Sequence, residues 1–368
     1  MPPLPSPTVD PALLRVPSDD AWQRLCQLAH GLGPAAIEAL ERALEHWPQQ
    51  ARRIVGTQEL EDPWWTEGYE PQDQPWLGLV RTLQVGIVEL LDVDSPSAWE
   101  RFGFPNIRRL VLTSADRPKL APRALARLPN IDELNLQRIM DQRRCREHVI
   151  AVAPPLRVLE APHGRLGAHG LEVVLRHGPS LEHLDLRRNE IGPKALEVLG
   201  GWPRGARLRE LLLGGNPLRM SSISKLRNTP IFDGLRQLDL DGIPGRRARF
   251  DWLSSSTLED LRLRGADLGD TGVRAMVVEA RLPSLTRLDL SGTDCRARGV
   301  AALIESGWLR RLRSLDLSSN RLGAEAIDLI VAQPRGALEE VIVDDDDLDE
   351  ATKGKIAQWL GGPGETKK

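Results

Sequence analysis

Imidazole and thiolate groups are the side chains to weigh first, because four histidines fall close together at His163, His169, His177 and His183, with Cys145 and His148 just upstream. These are zinc-ligand types, but a zinc site needs them at set spacings. No CxxC pair and no HExxH helix is present, and the histidines sit at different places in the local pattern. They read as surface and loop imidazoles, and no metal site is expected. The other two cysteines, Cys26 and Cys295, lack any catalytic signature around them. No GxSxG elbow, phosphate-cradling Walker loop or dinucleotide-binding GxGxxG appears. The run Asp344–Asp347 lacks the glycine and terminal glutamate of a calcium loop and reads as solvated charge. Neither catalysis nor a cofactor is expected.

Charge and composition narrow the remaining classes. The chain has 368 residues, 41% hydrophobic and 27% charged, with a formal net charge of −3. That is neither a disordered nor a membrane-spanning composition, and no membrane association is expected. Three cysteines and the absence of a secretory run after Met1 lead to the expectation of a cytoplasmic protein. Residues 1–100 hold 6 basic against 16 acidic residues and six of the ten tryptophans. This shift marks a boundary near residue 100. Duplex phosphates call for a concentrated basic patch and a high pI. Here the pI is about 6.2, and Arg246, Arg247 and Arg249 form one short cluster. No nucleic acid is expected.

What positions these residues is an internal repeat. LEHLDLRRNEIG starts at Leu181 and LRSLDLSSNRLG at Leu312. Between them stand LRELLLGGNPLR from Leu208, LRQLDLDGIPG from Leu235, LEDLRLRGADLG from Leu258 and LTRLDLSGTDC from Leu285. Weaker copies begin at Ile107, Ile131, Leu156 and Leu338, so ten LxxLxLxx registers recur every 23 to 27 residues. In a strand, alternate side chains share a face, so the two leucines of each LxL point inward together. One unit cannot bury them alone, whereas a stack can. Helical periodicity follows in Ala168–His177, Thr271–Ala280, Ala297–Ser306 and Ala324–Ala332. Cys295 occupies the inward position that other units give to Leu166, Ile191, Leu218, Leu268, Leu322 and Leu348, so it reads as a core residue.

Residues 105–350 resemble the leucine-rich repeat family, and the helical returns most resemble its ribonuclease-inhibitor-like subclass. The arginine, alanine, glycine and proline bias resembles a bacterial source of high GC content. The resemblance implies an α/β leucine-rich-repeat solenoid, with a curved parallel β-sheet inside and helices outside. Residues 1–100 then form an N-terminal, mainly helical cap or small domain, 101–349 the repeats, and 350–368 a closing helix and tail. Two helices are expected at Asp19–His30, capped by Ser18 or Asp19, and at Pro34–Trp47, with an edge strand within Leu79–Val93. The family's turn asparagine stands only at Asn189, Asn216 and Asn320; elsewhere the position holds residues such as Ile139, Ile243, Ala266 and Thr293.

The third, fifth and seventh positions of each register face the concave side. The fifth column includes Asp185, Leu212, Asp239, Arg262, Asp289 and Asp316, and flanking columns add Arg187, Glu210 and Asp241. This wall is net acidic. It either attracts a protein partner, for which a basic surface would be complementary, or keeps a solvated sheet soluble and its edges blunt. Family resemblance implies a non-catalytic interaction scaffold with Asp185, Arg187, Glu210, Leu212, Asp239, Asp241, Arg262, Asp289 and Asp316 meeting the partner. The alternative is an enzyme or effector whose activity lies in residues 1–100, with Trp64 to Trp76 lining a pocket and the repeats as targeting module.

The register itself is open to test. Leu288→Asp places a carboxylate in the leucine column and should cost about 3–5 kcal/mol in urea unfolding. An unchanged midpoint would show that Leu288 does not point inward.

Overall fold

A computed structural model describes residues 11–29, 32–55, 79–85, 106–113, 119, 122, 125–126, 128–137, 139, 143–344 and 350–360. The chain divides into two compact units, Met1–Gly164 with His177–Pro179, and Arg165–Arg176 with Ser180–Lys368. The compositional boundary near residue 100 lies outside the described residues, as do Trp64 to Trp76, Asp345–Asp347 and the 361–368 tail.

The first unit opens with helices Pro11–Arg15, Asp19–Ala29 and Pro34–Ala43. The Ser18 hydroxyl accepts from the Ala21 amide at 3.2 Å, so Ser18 supplies the expected cap, and Pro34 opens the third helix. Five parallel strands follow in chain order: β1 (Arg53–Val55), β2 (Thr82–Val85), β3 (Arg109–Leu112), β4 (Glu133–Asn135) and β5 (Val158–Glu160). The strand expected within Leu79–Val93 is therefore β2, paired with the first repeat. It is not at the edge, because β1 lies beyond it. The helices are anchored to this end by two indoles. Trp22 Nε1 donates to the Arg53 carbonyl at 2.8 Å, Trp47 Nε1 to the Leu14 carbonyl at 3.1 Å, and the two rings lie 6.5 Å apart.

The second unit carries seven parallel strands, again in chain order: β6 (His183–Asp185), β7 (Glu210–Leu212), β8 (Gln237–Asp239), β9 (Asp260–Arg262), β10 (Arg287–Asp289), β11 (Ser314–Asp316) and β12 (Glu340–Ile342). The register aligns Leu184, Leu211, Leu238, Leu261, Leu288, Leu315 and Val341 across neighbouring strands. Inward positions are closed to solvent: Leu181, Leu184, Leu186 and Ile191 of one repeat are all 0% exposed. Each such side chain contributes roughly 2 kcal/mol when removed from water. Helical returns Gly167–His177, Pro193–Gly200, Gly269–Glu279, Ala297–Glu305 and Gly323–Val331 lie within a residue or two of their expected spans where one was expected. Helix Glu350–Leu360 buries Ile356 and Thr352, and Trp359 Nε1 donates to the Gln333 carbonyl at 2.8 Å. Among the described residues no helix is long and apolar enough to cross a membrane.

The strands are three or four residues long because the chain turns sharply after the sixth position. Among the described residues the eighth position adopts a left-handed backbone in seven repeats: His163, Arg188, Gly215, Gly242, Gly265, Gly292 and Ser319, with φ between 54° and 69°. Glycine fills four of the seven because it alone takes this conformation without steric cost. These turns expose buried carbonyls that need donors. Asn216 Nδ2 donates to its own sixth-position carbonyl, Leu213, at 2.7 Å and to that of the preceding repeat, Leu186, at 2.9 Å. Asn320 does the same with Leu317 and Leu290. The asparagine oxygens reach back as well, accepting the amides of Asn189 and Ile191, or of Thr293 and Cys295. Each asparagine thus ties two repeats together.

Where Ile139 replaces the asparagine, an arginine from the following helix (Arg143–Val152) does the work. Arg146 is 0% exposed and donates to the carbonyls of Leu136, at 2.8 Å, Ala161, at 2.7 Å, and Ile139. Leu136 and Ala161 are sixth positions of adjacent repeats, the equivalent pair to that bridged by Asn216 and Asn320. Arg146→Leu removes the guanidinium donors from these carbonyls, leaving Leu136 the Ile139 amide at 2.9 Å, at roughly 1–3 kcal/mol for each bond lost. We expect a loss of about 3 kcal/mol or more in urea unfolding, partly recovered by Arg146→Lys; parity between Arg146→Leu and the parent would refute the bridging role.

Candidate protein-binding face

The third, fifth and seventh positions of the repeats of β6–β12 lie on the face away from the leucine column, and their exposure decides what a partner could touch. Arg287, Glu340 and Ile342 are exposed, and Arg187, Glu210, Asp241, Arg262, Asp289 and Asp316 are half-buried. Three of the residues expected to meet a partner are nearly closed off: Asp185 at 3%, Leu212 at 6% and Asp239 at 1% exposure. Neighbouring strands about 5 Å away shield side chains in the middle of a parallel sheet. Leu212 therefore offers little area as an apolar anchor.

The aspartates of the fifth column have a structural task that explains their recurrence. Asp185 Oδ1 accepts the Arg187 amide at 3.0 Å, Asp239 Oδ1 the Asp241 amide at 2.9 Å, Asp289 Oδ1 the Ser291 amide at 2.8 Å and Asp316 Oδ1 the Ser318 amide at 2.9 Å. Asn135 in the first unit does the same for Gln137 at 2.9 Å. A short acceptor two residues back satisfies an amide where the strand ends. In two repeats a serine hydroxyl adds a second bond, from Ser291 to Asp289 at 2.6 Å and from Ser318 to Asp316 at 2.7 Å.

Charge pairing divides the acids into two classes. Arg187 pairs with Asp185 at 2.7 Å, while Arg262 and Arg287 both reach Asp260 at 3.2 Å. His183 Nδ1 lies 2.6 Å from Glu210, and this bond, opposed by burial, holds the Glu210 carboxyl below its usual range. Among the described residues Asp239, Asp241, Asp289 and Asp316 have no ion pair within 4 Å. Burial pushes the Asp239 carboxyl up. Asp241 is pushed up to about 6, by burial first and then by the charges of Asp239 and Asp289; the Arg264 amide, donating at 3.0 Å, only partly offsets this. In the first unit the corresponding acids are neutralised: Arg109 pairs with Glu133 at 3.1 Å and Glu160 at 2.8 Å, and Arg157 pairs with Glu133.

Sequence reasoning assigned no role to Asp260 and Arg287, at third positions, or to Arg264, at a seventh. Their pairing could not be read from spacing, since each arginine has acids on both neighbouring strands. It also passed over Gly214, which occupies the seventh position beside Asp239 and Asp241. A Cβ there would lie 2.6 Å from Asp239 Oδ1 and 3.0 Å from the Asp241 Cβ, so only glycine leaves room for the carboxylate. The clustered histidines stand on different elements: His163 in a turn, His169 and His177 on a helix, His183 on β6. Among the described residues no group of three or more His, Cys, Asp or Glu could hold a metal ion. Cys295 is fully buried and its thiol is pushed up to about 12, chiefly by burial, consistent with a core role.

The Asp241 shift has a definite pH signature. Folded, the group takes up its proton near pH 6; unfolded, near 3.8. The native state binds more protons in that window, so this contribution to stability grows as pH falls from about 6 towards 4. Asp241→Asn keeps an oxygen acceptor for Arg264 and removes the titration. It should melt above the parent at pH 7.5, with the gap closing by pH 4.5. A gap of constant size across this range would contradict the assignment.

Comparison with known proteins follows the same lines. The family model described as Leucine Rich repeat matches residues 177–200, 254–277 and 310–331. No curated protein matches the chain. Among solved structures, the Rad7–Elc1 complex from yeast is similar at 14% identity, covering 93% of this chain and 84% of that one with a TM-score of 0.48. The TLR13–ssRNA13 complex is similar at 14% identity over 72% of this chain and 43% of that one, with a TM-score of 0.39. The matched repeats and the ordered parallel strands agree, and the fold is an α/β solenoid built of leucine-rich repeats.

Proposed function

We propose that this chain is a non-catalytic protein-interaction scaffold whose partner docks on the strand face of β6–β12. The observation that carries this reading is the uneven pairing of charge. A purely solvated sheet gains nothing from holding desolvated carboxylates without counter-ions, as Asp239 and Asp241 are held. A docking face gains affinity and selectivity when a basic partner supplies them. Negative charge left over on the face also repels phosphate, so the partner is a protein rather than nucleic acid. Closely spaced rigid strands present these groups with little ordering cost on binding.

Within this reading the contacts come from Arg187, Glu210, Asp241, Arg262, Asp289 and Asp316, with Asp185, Leu212 and Asp239 as the floor. Returns of eight to eleven residues support the ribonuclease-inhibitor-like subclass, although the repeat from Leu208 returns through the short helices Met220–Ile223 and Ile231–Gly234 and that from Leu235 without a helix. A bacterial, cytoplasmic setting remains part of the proposal, on composition and cysteine usage.

Photocrosslinking tests the face directly. Benzoylphenylalanine at Gln237 or Ser314 should give a discrete adduct with one partner from a lysate of the source organism. The same group at Arg274 or Arg298, on the helices, should not. Adducts only from the helix positions would overturn the assignment.

A further inference from the structure

The two terminal strands are finished differently. Along a strand the amide and carbonyl of one residue point to the same neighbour, and those of the next residue to the other. In β1 the Arg53 carbonyl points away from β2, and Trp22 Nε1 of helix Asp19–Ala29 closes it at 2.8 Å. β12 has no such cover. On β11 the groups that face forward serve β12: the Arg313 carbonyl accepts the Glu339 and Glu340 amides at 2.7 and 3.0 Å, and the Leu317 amide donates to the Ile342 carbonyl at 2.8 Å. The same positions one repeat on are the Glu339 carbonyl and the Val343 amide, with both backbone groups of Val341 between them. Among the described residues no strand follows to meet them. Helix Glu350–Leu360 packs on helix Gly323–Val331, where Lys355 reaches Asp328 at 2.5 Å, and leaves the strand edge bare.

The side chains show the same missing neighbour. Leu315 and Leu317 are 0% exposed, whereas Val341 and Val343 are only half-buried and Ile342 is 39% exposed. Charge follows suit. In the third column, acids pair in register with a base on the adjoining strand: Glu133 with Arg109 at 3.1 Å, Glu210 with His183 at 2.6 Å and Asp260 with Arg287 at 3.2 Å. Glu340 meets the Ser314 hydroxyl at 3.0 Å on one side and, among the described residues, nothing on the other.

An occupant must bring backbone groups at strand spacing, aliphatic side chains beside Val341 and Val343, and a cation beside Glu340. A second copy fails this. Two β12 edges paired about a two-fold axis at Val341 set Glu340 against Ile342, and β1 of another copy offers an edge whose Arg53 carbonyl Trp22 already holds. We propose that the outer edge of β12 takes an extended segment of a partner protein as an added parallel strand, reading lysine or arginine, aliphatic, any residue, aliphatic. Strand addition draws affinity from the backbone and selectivity from alternate side chains. This edge is separate from the strand face, and its reading stands whether or not that face binds.

The chain's own β10 supplies the probe. A capped, fluorescein-labelled peptide of residues 285–292, LTRLDLSG, carries arginine, leucine and leucine at the required positions. Anisotropy with the full chain should show saturable binding. Val341→Pro removes an outward amide that no bond of the fold uses, so it should weaken binding by about tenfold or more while the urea midpoint holds. Glu340→Arg should weaken it about fivefold, and a peptide with glutamate in place of its arginine should recover that loss. Should proline lower the midpoint, the charge swap alone decides. No binding by the parent, full binding by a folded Val341→Pro, or failure of the charge swap would overturn the added strand. Weakening by Asp239→Asn with Asp241→Asn as large as that by Val341→Pro would place the peptide on the strand face instead. A parent dimer in sedimentation velocity that Val341→Pro dissolves would give the edge to a second copy, and would equally refute the proposal.

Discussion

The structure depends on how each turn satisfies the carbonyls it strands at the end of a three-residue strand. A short strand that bends at once into a left-handed residue cannot pair its own sixth-position carbonyl within the sheet. Some donor must be brought to it inside a leucine column. Asn216 and Asn320 bring an amide group that reaches two consecutive repeats at once. Thr293 covers its own carbonyl, Leu290, with a hydroxyl at 2.7 Å and leaves the cross-tie to Asn320. Arg146 covers the pair at Leu136 and Ala161 from a helix. At Leu240 and Leu263 the backbone amides of Ile243 and Ala266 serve instead, so four chemistries meet one requirement. The requirement, not the asparagine, is what the repeats share.

A second constraint acts on the outer face of the strands, and it limits how function can be read from sequence there. The fifth-position aspartates accept the amide two residues on, so the recurring LDL is first a strand terminator. An acid at that position therefore carries little information about a partner. Information lies in departures from it: Asp241 in a column where the other repeats of the second unit, Asp344 apart, place arginine, glycine or serine, and Gly214 where a side chain would collide with Asp239. The two competing readings of the acidic wall thus apply to different residues. Termination accounts for Asp185 and Asp316, whereas desolvated charge without a counter-ion needs a further account at Asp241.

The inward leucines, the strand register and most helical returns were legible because each rests on a local period, 2 for strands and 3.6 for helices. Helix Glu350–Leu360 and the cap at Ser18 were legible for the same reason. Strand β1 was not, because Arg53–Val55 joins the sheet by backbone bonds to β2 without a leucine pattern of its own. Arg146 was equally hidden: an arginine in an arginine-rich helix looks solvated until the missing donor at Ile139 is noticed. Burial of Asp239 and Leu212 escaped the pattern too. Alternation tells which face a side chain takes, not how closely adjacent strands crowd it.

The two units resolve the same surface problem in opposite ways, and this contrast bears on function. In the first unit, Arg109 and Arg157 join Glu133 and Glu160 in a closed network to which Asn135 also contributes. Such a network leaves no net charge for a partner to meet, and removing one member would leave another buried and unpaired. In the second unit the arginines are drawn to Asp260 and Asp185, which leaves β8 and β10 negative. One further arginine at Gln237 or Ser314, equally compatible with a strand, would bring a cation onto that face. Its absence means the imbalance is held by the sequence rather than forced by the fold, since the first unit shows that the same architecture accommodates complete pairing. A face that stays charged although its scaffold permits neutrality is better explained by what binds it than by what supports it.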